Sequence, residues 1–197
     1  MQQGKTFIIS GPSGVGKGTI VKALMAERDD IYLSISATTR EPREGEQDGV
    51  HYHFIDVARF RDLIEEDAFL EYAEYVGNFY GTPKRFVDRA MDRGQDVILE
   101  IDVQGAMQVS SKRSDAIKIF VVPPSWEALE QRLRDRGTDS EEKLQKRLVR
   151  AKVELQAAES YQYMVINDTV EQAVEEVKAI MLAEHCKPAE RMKILSE

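Results

Sequence analysis

Short apolar segments alternate with longer amphipathic segments along most of this 197-residue chain. Four short segments are rich in β-branched or aromatic residues, which predicts buried strands at 6–10, 97–101, 117–122 and 163–166. The longer segments have helical periodicity and predict helices at 19–28, 83–92, 104–111, 125–136, 140–160 and 170–184. This alternation favours an α/β fold, in which a mainly parallel sheet is flanked by helices on both faces.

Between residues 36 and 82 the chain departs from this alternation. Apolar runs there are short, aromatic and closely spaced, as at 52–55 and 69–76, and a single helix is predicted at 57–66. Such spacing is typical of strands joined by short turns. We therefore expect a small, mostly antiparallel lobe inserted into the sheet domain.

Composition and charge narrow the class of protein. A chain with 42% hydrophobic and 31% charged residues is typical of a globular protein. Its longest apolar run, residues 179–183, is far below the roughly 18 residues that suggest a membrane span. A net charge of −8 disfavours bulk electrostatic binding of nucleic acid polymers. One cysteine, and no basic-then-apolar leader in the first ten residues, favour a cytoplasmic protein.

A glycine-rich segment follows the first predicted strand and opens the first predicted helix. It has the spacing G-x-x-x-x-G-K, which suits a phosphate-binding loop. Glycines let backbone N–H groups surround an anion, the helix N-terminus favours negative charge, and Lys17 supplies a cation. A plain glycine-rich turn is the alternative. The predicted ATP-binding residues here are Gly11, Pro12, Ser13, Gly14, Val15, Gly16, Lys17, Gly18 and Thr19.

Gly18 stands where such loops usually carry a hydroxyl residue, and Thr19 follows one position later. The GKGT form resembles the loop of nucleoside monophosphate kinases. Thr19 is therefore a candidate Mg²⁺ ligand, and water or phosphate oxygens that fill the metal shell are the alternative.

Two arginines, Arg40 and Arg43, flank a proline in the loop that opens the 36–82 segment. Guanidinium groups suit bidentate phosphate binding, although exposed loop arginines are most often solvated. The stretch S-x-S-A-T-T-R-x-P-R-x-G-E from residue 34, followed by Tyr52 and Phe54, resembles the signature of guanylate kinases. Further matches follow in order: FLEY at 69–72, GNFYGT at 77–82, ILEIDVQG at 98–105, PPS at 123–125 and RGT at 136–138.

This resemblance runs from about residue 7 to residue 168. It implies transfer of the γ-phosphoryl group of ATP to GMP or dGMP, with Mg²⁺ accompanying the ATP. It also implies three parts. These are a core of residues 1–35, 83–125 and 160–197, a GMP-binding lobe of residues 36–82, and a helical lid of residues 126–159.

The resemblance further implies a GMP pocket in the lobe. Arg40, Arg43, Tyr52 and Tyr80 would hold the GMP phosphate, and Ser36, Glu71 and Thr82 would bind guanine. Guanine carries two neighbouring donors that one carboxylate accepts together, whereas adenine would leave that carboxylate unpaired. The alternatives are a solvated strand carboxylate at Glu71 and core aromatics with wet hydroxyls at the tyrosines.

Glu100 and Asp102 lie two residues apart at the end of a predicted strand, so both carboxylates can point to one side. Ligands gather at the ends of parallel strands beside a phosphate loop. The resemblance places Asp102 near guanine or Mg²⁺, with Glu100 beside it. Which acid contacts the metal stays open, and Asp102 as an ordinary helix start is the alternative.

Basic residues form stripes on the two predicted lid helices, at Arg132 and Arg136 and at Lys143, Arg147 and Arg150. A charged solvent face is the bland interpretation. The resemblance implies that Arg132, Arg136 and Arg147 close on the ATP phosphates, while Arg150 has no firm role. It also places Asn167 near adenine. The catalytic residues it implies are Lys17, Arg43, Arg136 and Arg147.

Two other functions stay open. One is a kinase that uses another phosphorylated acceptor, such as a ribose bisphosphate; the Ser36, Glu71 and Thr82 set disfavours it, because a sugar has no guanine edge. The other is a guanylate-kinase-like module that binds partner proteins; the intact phosphate loop with Lys17 disfavours it. Both a monomer and a homo-oligomer are compatible with the sequence.

Overall fold

The computed structural model describes residues 3–135 and 140–192. Its strands, in chain order, are β1 (Thr6–Ser10), β2 (Ile31–Leu33), β3 (Ala37–Thr38), β4 (His53–Phe54), β5 (Phe69–Tyr75), β6 (Asn78–Pro83), β7 (Asp96–Glu100), β8 (Ile117–Val122) and β9 (Tyr163–Ile166). Its helices are α1 (Lys17–Glu27), α2 (Val57–Glu65), α3 (Lys84–Asp92), α4 (Val103–Lys112), α5 (Trp126–Asp135), α6 (Glu141–Leu155), α7 (Val170–His185) and α8 (Pro188–Arg191).

Five parallel strands form the main sheet, in the order β2-β7-β1-β8-β9. The central strand β1 is buried along its whole length, and its side chains alternate between two hydrophobic clusters. Phe7 and Ile9 pack with residues of α1 and α7, whereas Ile8 packs with residues of α3 and α4. The sheet is therefore covered on both faces, which confirms the predicted α/β class.

A second sheet, of order β4-β3-β6-β5, forms the lobe. The β3–β6 and β5–β6 pairs are antiparallel and the β3–β4 pair is parallel. Its small core is built on Ala37, Phe60 and Phe69, and the Phe60 and Phe69 rings stack at 4.5 Å. The mostly antiparallel lobe predicted from the aromatic spacing is confirmed.

The structure differs from the predicted elements at several points, among them the four-residue helix α8, which was not predicted. The three-residue edge strand β2 was not predicted, because so short a segment carries little periodic signal. Helix α1 begins at Lys17 rather than at residue 19, directly after Gly16. The predicted helix at 140–160 is α6, capped by Ser140, followed by a 3₁₀ turn at Gln156–Ser160. Among the described helices, none is long and apolar enough to cross a membrane.

Candidate active site

The phosphate loop leaves the carboxyl end of β1 and enters α1 at Lys17. Gly16 has φ 91°, in the left-handed region that glycine tolerates, and its added Cβ would lie 2.5 Å from Asn167 Nδ2. A Cβ on Gly11 would lie 2.2 Å from the Val121 carbonyl oxygen. Side chains are thus excluded at both ends of the loop, where the backbone packs closely against β8 and against Asn167.

Lys17 folds back over the loop that precedes it. Its Nζ donates to the carbonyl oxygens of Gly11, at 2.7 Å, and Pro12, at 3.2 Å. Gly18 and Thr19 form the exposed first turn of α1, and a Cβ on Gly18 would lie 3.4 Å from Glu100 Oε1. The loop, the Lys17 ammonium and the end of β7 therefore meet at one edge of the sheet.

Asn167 fastens the β9–α7 connection to the phosphate loop. Its side chain is buried and its Nδ2 donates to the Val15 carbonyl oxygen at 2.7 Å. Arg132 of α5 in turn donates from Nη2 to the Asn167 carbonyl oxygen at 2.8 Å. Asn167 Oδ1 and Arg132 Nη1 are buried and without a hydrogen-bond partner within the described part of the chain. Asn167 thus lies against the loop and Arg132 lies against Asn167, and each keeps one polar atom that could bind a ligand.

Helix α6, in the segment predicted to form a lid, contacts both the loop and the core. Arg147 Nη2 donates to Ser13 Oγ at 2.7 Å, so one of the predicted lid arginines contacts the phosphate loop directly. Three residues further on, Arg150 Nη2 lies 3.4 Å from Asp102 Oδ2 at the start of α4. Arg136, the other predicted lid arginine, lies outside the described residues.

Glu71 lies in the lobe with its carboxylate buried between β6 and α4. Thr82 Oγ1 donates to Glu71 Oε1 at 2.6 Å, and the residue is 8% exposed. A Cβ on Gly105 would lie 3.2 Å from Glu71 Oε2, so glycine makes room for the carboxylate there. Burial raises the pKa of Glu71 to about 7, with a smaller contribution from Asp102, although the Thr82 hydrogen bond opposes the shift.

Ser36 lies beside this pair. The antiparallel register pairs Ala37 with Gly81, and continuing it by one residue sets Ser36 opposite Thr82. Thr82 is in turn paired with Glu71. The three predicted guanine-binding residues therefore lie side by side across three neighbouring strand positions, in the order Ser36, Thr82, Glu71.

Arg40, Tyr52 and Tyr80 form a second group in the lobe. The Tyr52 and Tyr80 rings are 6.0 Å apart, and the Arg40 guanidinium lies 5.5 Å from the Tyr52 ring centre. Glu46 accepts two hydrogen bonds from Arg40 Nη2, both at 2.9 Å, and one from the Arg43 backbone N–H at 2.8 Å. Glu46, and to a smaller extent Tyr80, raise the pKa of Arg40. A carboxylate thus holds the guanidinium in place.

The two acids at the end of β7 have different surroundings. Asp102 caps α4, since its Oδ1 accepts from the Gly105 backbone N–H at 2.9 Å. Asp102 therefore caps a helix, which was the alternative predicted for it from the sequence. It also lies close enough to Glu71 to affect the pKa of that carboxyl. Burial raises the pKa of Glu100, and nearby Lys17 opposes that shift. Over the described residues, no group of three or more His, Cys, Asp or Glu is placed to hold a metal ion.

Two residues of the site went unrecognised in the sequence. Glu46 was part of the matched signature, but only the fold shows its carboxylate on Arg40. Gln108 of α4 pairs with the backbone of Tyr72 through both ends of its amide, at 3.1 Å each. Neither contact has a local sequence signal, because the partners meet through loop and tertiary geometry.

Comparison with known proteins places this arrangement in a family. The family model described as "Guanylate kinase" matches residues 3–184. The guanylate kinase of Clostridium perfringens strain 13 is 52% identical over 191 residues, 97% of this chain and 88% of the relative. That of a Thermus thermophilus strain is 53% identical over 182 residues, 92% and 82% respectively. The crystal structure of guanylate kinase from Anaplasma phagocytophilum superposes with a TM-score of 0.76, at 32% identity, over 96% of this chain and 90% of that one. By its phosphate loop, its lobe and these matches, the chain belongs to the guanylate kinase family.

Proposed function

We propose that the cleft between the phosphate loop, the lobe and the lid carries out ATP-dependent phosphorylation of GMP. A phosphate oxygen of GMP attacks the γ-phosphorus of ATP, the bond from that phosphorus to the β,γ-bridging oxygen breaks, and ADP leaves. The products are ADP and GDP. The observation that carries this proposal is the buried Glu71 with Thr82 at 2.6 Å, in a lobe inserted into a sheet that bears a phosphate loop.

The GMP side of the cleft selects the base. Glu71 accepts the two neighbouring donors of guanine, and the hydroxyl of Ser36 donates to its O6 acceptor. The Thr82 hydroxyl donates its one proton to Glu71 and so aims that carboxylate at the base. Adenine has the reverse pattern and leaves the buried carboxylate unpaired, at a cost of about 1–3 kcal/mol. On the basis of this role we assign residues 36–82 to a GMP-binding lobe. Asp102 supports the pocket from the start of α4.

The phosphate of GMP binds the second lobe group. Arg40, Arg43, Tyr52 and Tyr80 supply the donors, and the phosphate takes the place that Glu46 occupies on Arg40. The second pKa of a phosphate monoester is about 6, so the attacking oxygen is largely ionised at neutral pH. No side chain need remove a proton from it.

The ATP-binding side of the cleft neutralises the negative charge of the phosphates. The backbone N–H groups of residues 11–19 surround the phosphates, and Lys17, Arg43, Arg136 and Arg147 stabilise the transferred group. The Arg147–Ser13 contact supports this assignment for the lid, residues 126–159, because it already places that guanidinium on the loop. Asn167 supports the loop and lies toward the adenine end, and Arg132, which holds the Asn167 carbonyl oxygen, closes on the ATP phosphates with the other lid arginines.

The residues present fit a magnesium ion that is bound mainly by ATP. Mg²⁺ in nucleotide sites keeps several waters and takes only one or two protein ligands, so no cluster of acids is needed. Thr19, Asp102 and Glu100 are the candidate oxygens; the Glu100 carboxylate borders the first turn of α1 at Gly18. When bound, the ion would supply positive charge that offsets the negative charge of the ATP phosphates.

We propose a cytoplasmic location, because the one cysteine of the sequence is exposed as a free thiol, which suits a reducing compartment.

An acceptor panel tests the function. ADP formation from Mg·ATP is measured with GMP, dGMP, AMP, UMP, CMP and ribose 1,5-bisphosphate, for the wild type and for Glu71→Gln. We expect turnover with GMP and dGMP alone, and a rise in KM for GMP of about tenfold or more in the variant, because the amide presents a donor to a guanine donor.

The controls separate the alternatives. Turnover with the sugar phosphate but not with GMP would retain the loop and overturn the base pocket. Folded protein that binds GMP without turnover would instead be a binding module. An unchanged KM for GMP in Glu71→Gln would remove the proposed role of that carboxylate.

A further inference from the structure

Helix α4 lies along the open edge of strand β5. In the lobe sheet β5 is a terminal strand, so only one of its edges is paired with another strand. Gly105, Gln108 and Lys112 are spaced three and four residues apart and so share one face of α4. All three approach β5, at Glu71, Tyr72 and Phe69 respectively.

Gln108 acts as a one-residue substitute for a neighbouring strand. Its Oε1 accepts from the Tyr72 backbone N–H and its Nε2 donates to the Tyr72 carbonyl oxygen, both at 3.1 Å. Lys112 Nζ donates to the Phe69 carbonyl oxygen at 2.8 Å. The backbone is therefore fastened to α4 two residues before Glu71 and one residue after it.

The strand needs this support at Glu71. The β5–β6 register shifts between Phe69 and Glu71, which weakens the ladder where the carboxylate must be aimed. Leu70 turns instead into the core beside Val87 and Leu99. Gln108 and Lys112 hold β5 on either side of this irregularity, from the edge opposite β6.

We propose that Gln108 is a positioning residue for guanine binding, which holds Glu71 in the pocket through the backbone of Tyr72 without touching the substrate. Lys112 assists from the other side of Glu71. Because Asp102 caps the same helix, α4 serves as a common frame for both acids of the pocket. The inference rests on the guanine-binding role proposed above for Glu71.

Steady-state kinetics of Gln108→Ala tests this assignment. Losing two neutral hydrogen bonds that hold the strand should raise KM for GMP about three- to tenfold. KM for ATP and kcat should stay within about twofold, because the phosphate loop is untouched. Met107→Ala is the matched control, since Met107 is the preceding residue of α4 and is exposed; it should behave as the wild type.

A double variant tells positioning from a general structural effect. If Gln108 acts through Glu71, Gln108→Ala should change KM for GMP by less than about twofold in a Glu71→Gln background. An equal rise in both backgrounds overturns the proposal, as does a wild-type KM in Gln108→Ala. An unaltered KM in Glu71→Gln alone would instead point to failure of the guanine-binding role itself.

A second substitution guards against loss of folding. Gln108→Glu keeps the side-chain length and an acceptor for the Tyr72 N–H, but it places an oxygen against the Tyr72 carbonyl. We expect its KM for GMP to rise as in Gln108→Ala, with thermal unfolding followed in parallel. A KM like that of the wild type in folded Gln108→Glu would show that the amide donor is unnecessary and would overturn the two-ended clamp.

Discussion

Lys17 is placed before nucleotide arrives. Two carbonyl oxygens of its own loop, from Gly11 and Pro12, hold the ammonium group at 2.7 and 3.2 Å. A cation that is already positioned needs little reorganisation when negative charge develops on a transferred phosphoryl group. At the scale of single residues, the loop thus orients its cation through short contacts to its own backbone carbonyl oxygens.

Substitution of Lys17 by alanine should therefore remove turnover and leave the fold. We expect kcat to fall by about 10²–10³, the usual cost of one such electrostatic contact. The thermal unfolding midpoint should change little, because Lys17 is half-buried on the loop surface. Coupled measurement of ADP release, with circular dichroism as the folding check, decides the matter; turnover near that of the wild type would contradict the role.

Glu46 shows how a carboxylate can prepare a phosphate site. It is paired with the Arg40 guanidinium and with the Arg43 backbone, so the loop between them is closed by one side chain. Backbone hydrogen bonding from Arg43, followed by Arg40, lowers the pKa of Glu46. The pair holds Arg40 over Tyr52, and in the function proposed above the GMP phosphate would compete with Glu46 for the same donors.

At the scale of elements, the junction between the phosphate loop and α1 depends on two glycines that differ in kind. Gly16 is the helix cap in a left-handed conformation, and Asn167 occupies the space where a Cβ would lie. Gly18 is one residue inside α1 and exposed, and a Cβ there would make only ordinary contact with Glu100. The first is required by geometry, while the second is not.

Alanine at these positions should have opposite effects on stability. Gly16→Ala should lower the free energy of unfolding by about 1–3 kcal/mol, from left-handed strain and displacement of the buried Asn167 amide. Gly18→Ala should leave it unchanged or raise it by up to about 1 kcal/mol, since alanine favours helix. Urea unfolding of both variants beside the wild type tests the pair. Equal destabilisation by the two substitutions would show that the conformation of Gly16 is not the cause.

The contact between α4 and β5 is the corresponding junction of two elements on the proposed GMP-binding side of the site. Helix and strand come from different parts of the fold, the core and the lobe, and their contact is made through one helix face and a strand edge. A change in the position of either element would move Glu71. Within the lobe sheet, the carboxylate of Glu71 is held by the hydroxyl of Thr82.

At the scale of the whole molecule, the buried Glu71 links stability to pH. Burial raises its pKa from 4.5 to about 7 in the folded chain. The folded state therefore holds a proton that the unfolded state has already released between these values. The stability that this proton contributes is present below pH 4.5 and is lost as pH rises through about 7.

The free energy of unfolding should accordingly fall between pH 5 and pH 8 in the ligand-free wild type. The contribution of Glu71 is on the order of 3 kcal/mol, at 1.36 kcal/mol for each pKa unit. Glu71→Gln lacks this titrating group. The free energy of unfolding of the variant, minus that of the wild type, should therefore increase with pH across the range. Denaturant unfolding at pH 5, 6, 7 and 8 measures both; parallel curves would exclude a raised pKa at Glu71.

The chosen pH range avoids a group with the opposite behaviour. Lys112 and Lys84 lower the pKa of the exposed Asp67 to about 2. Its contribution is complete above its ordinary pKa and is lost only as pH falls toward 2. Between pH 5 and 8 it is constant, so the comparison with Glu71→Gln isolates the buried carboxylate.

Local patterns in the sequence determined much of this molecule. Strand and helix periodicity, with glycine spacing at 11–16, identified four of the five core strands, the phosphate loop and the helix after it. Ordered motifs then identified the family, and with it the residue types of the lobe. These features are local, because backbone periodicity, turn chemistry and short motifs are written within a few neighbouring residues.

Only the tertiary structure decided what lies beside each of those residues. Three contacts join positions that local patterns do not connect. Glu71 is buried against Gly105, Arg40 is hydrogen-bonded to Glu46, and the Gln108 amide is hydrogen-bonded to the backbone of Tyr72. The edge strand β2 was likewise decided by the tertiary structure, because its three residues become a strand only by pairing with β7. Desolvation and hydrogen bonding depend on neighbours brought together by folding, and these neighbours set the pKa, the aim of each side chain and the shape of the pocket.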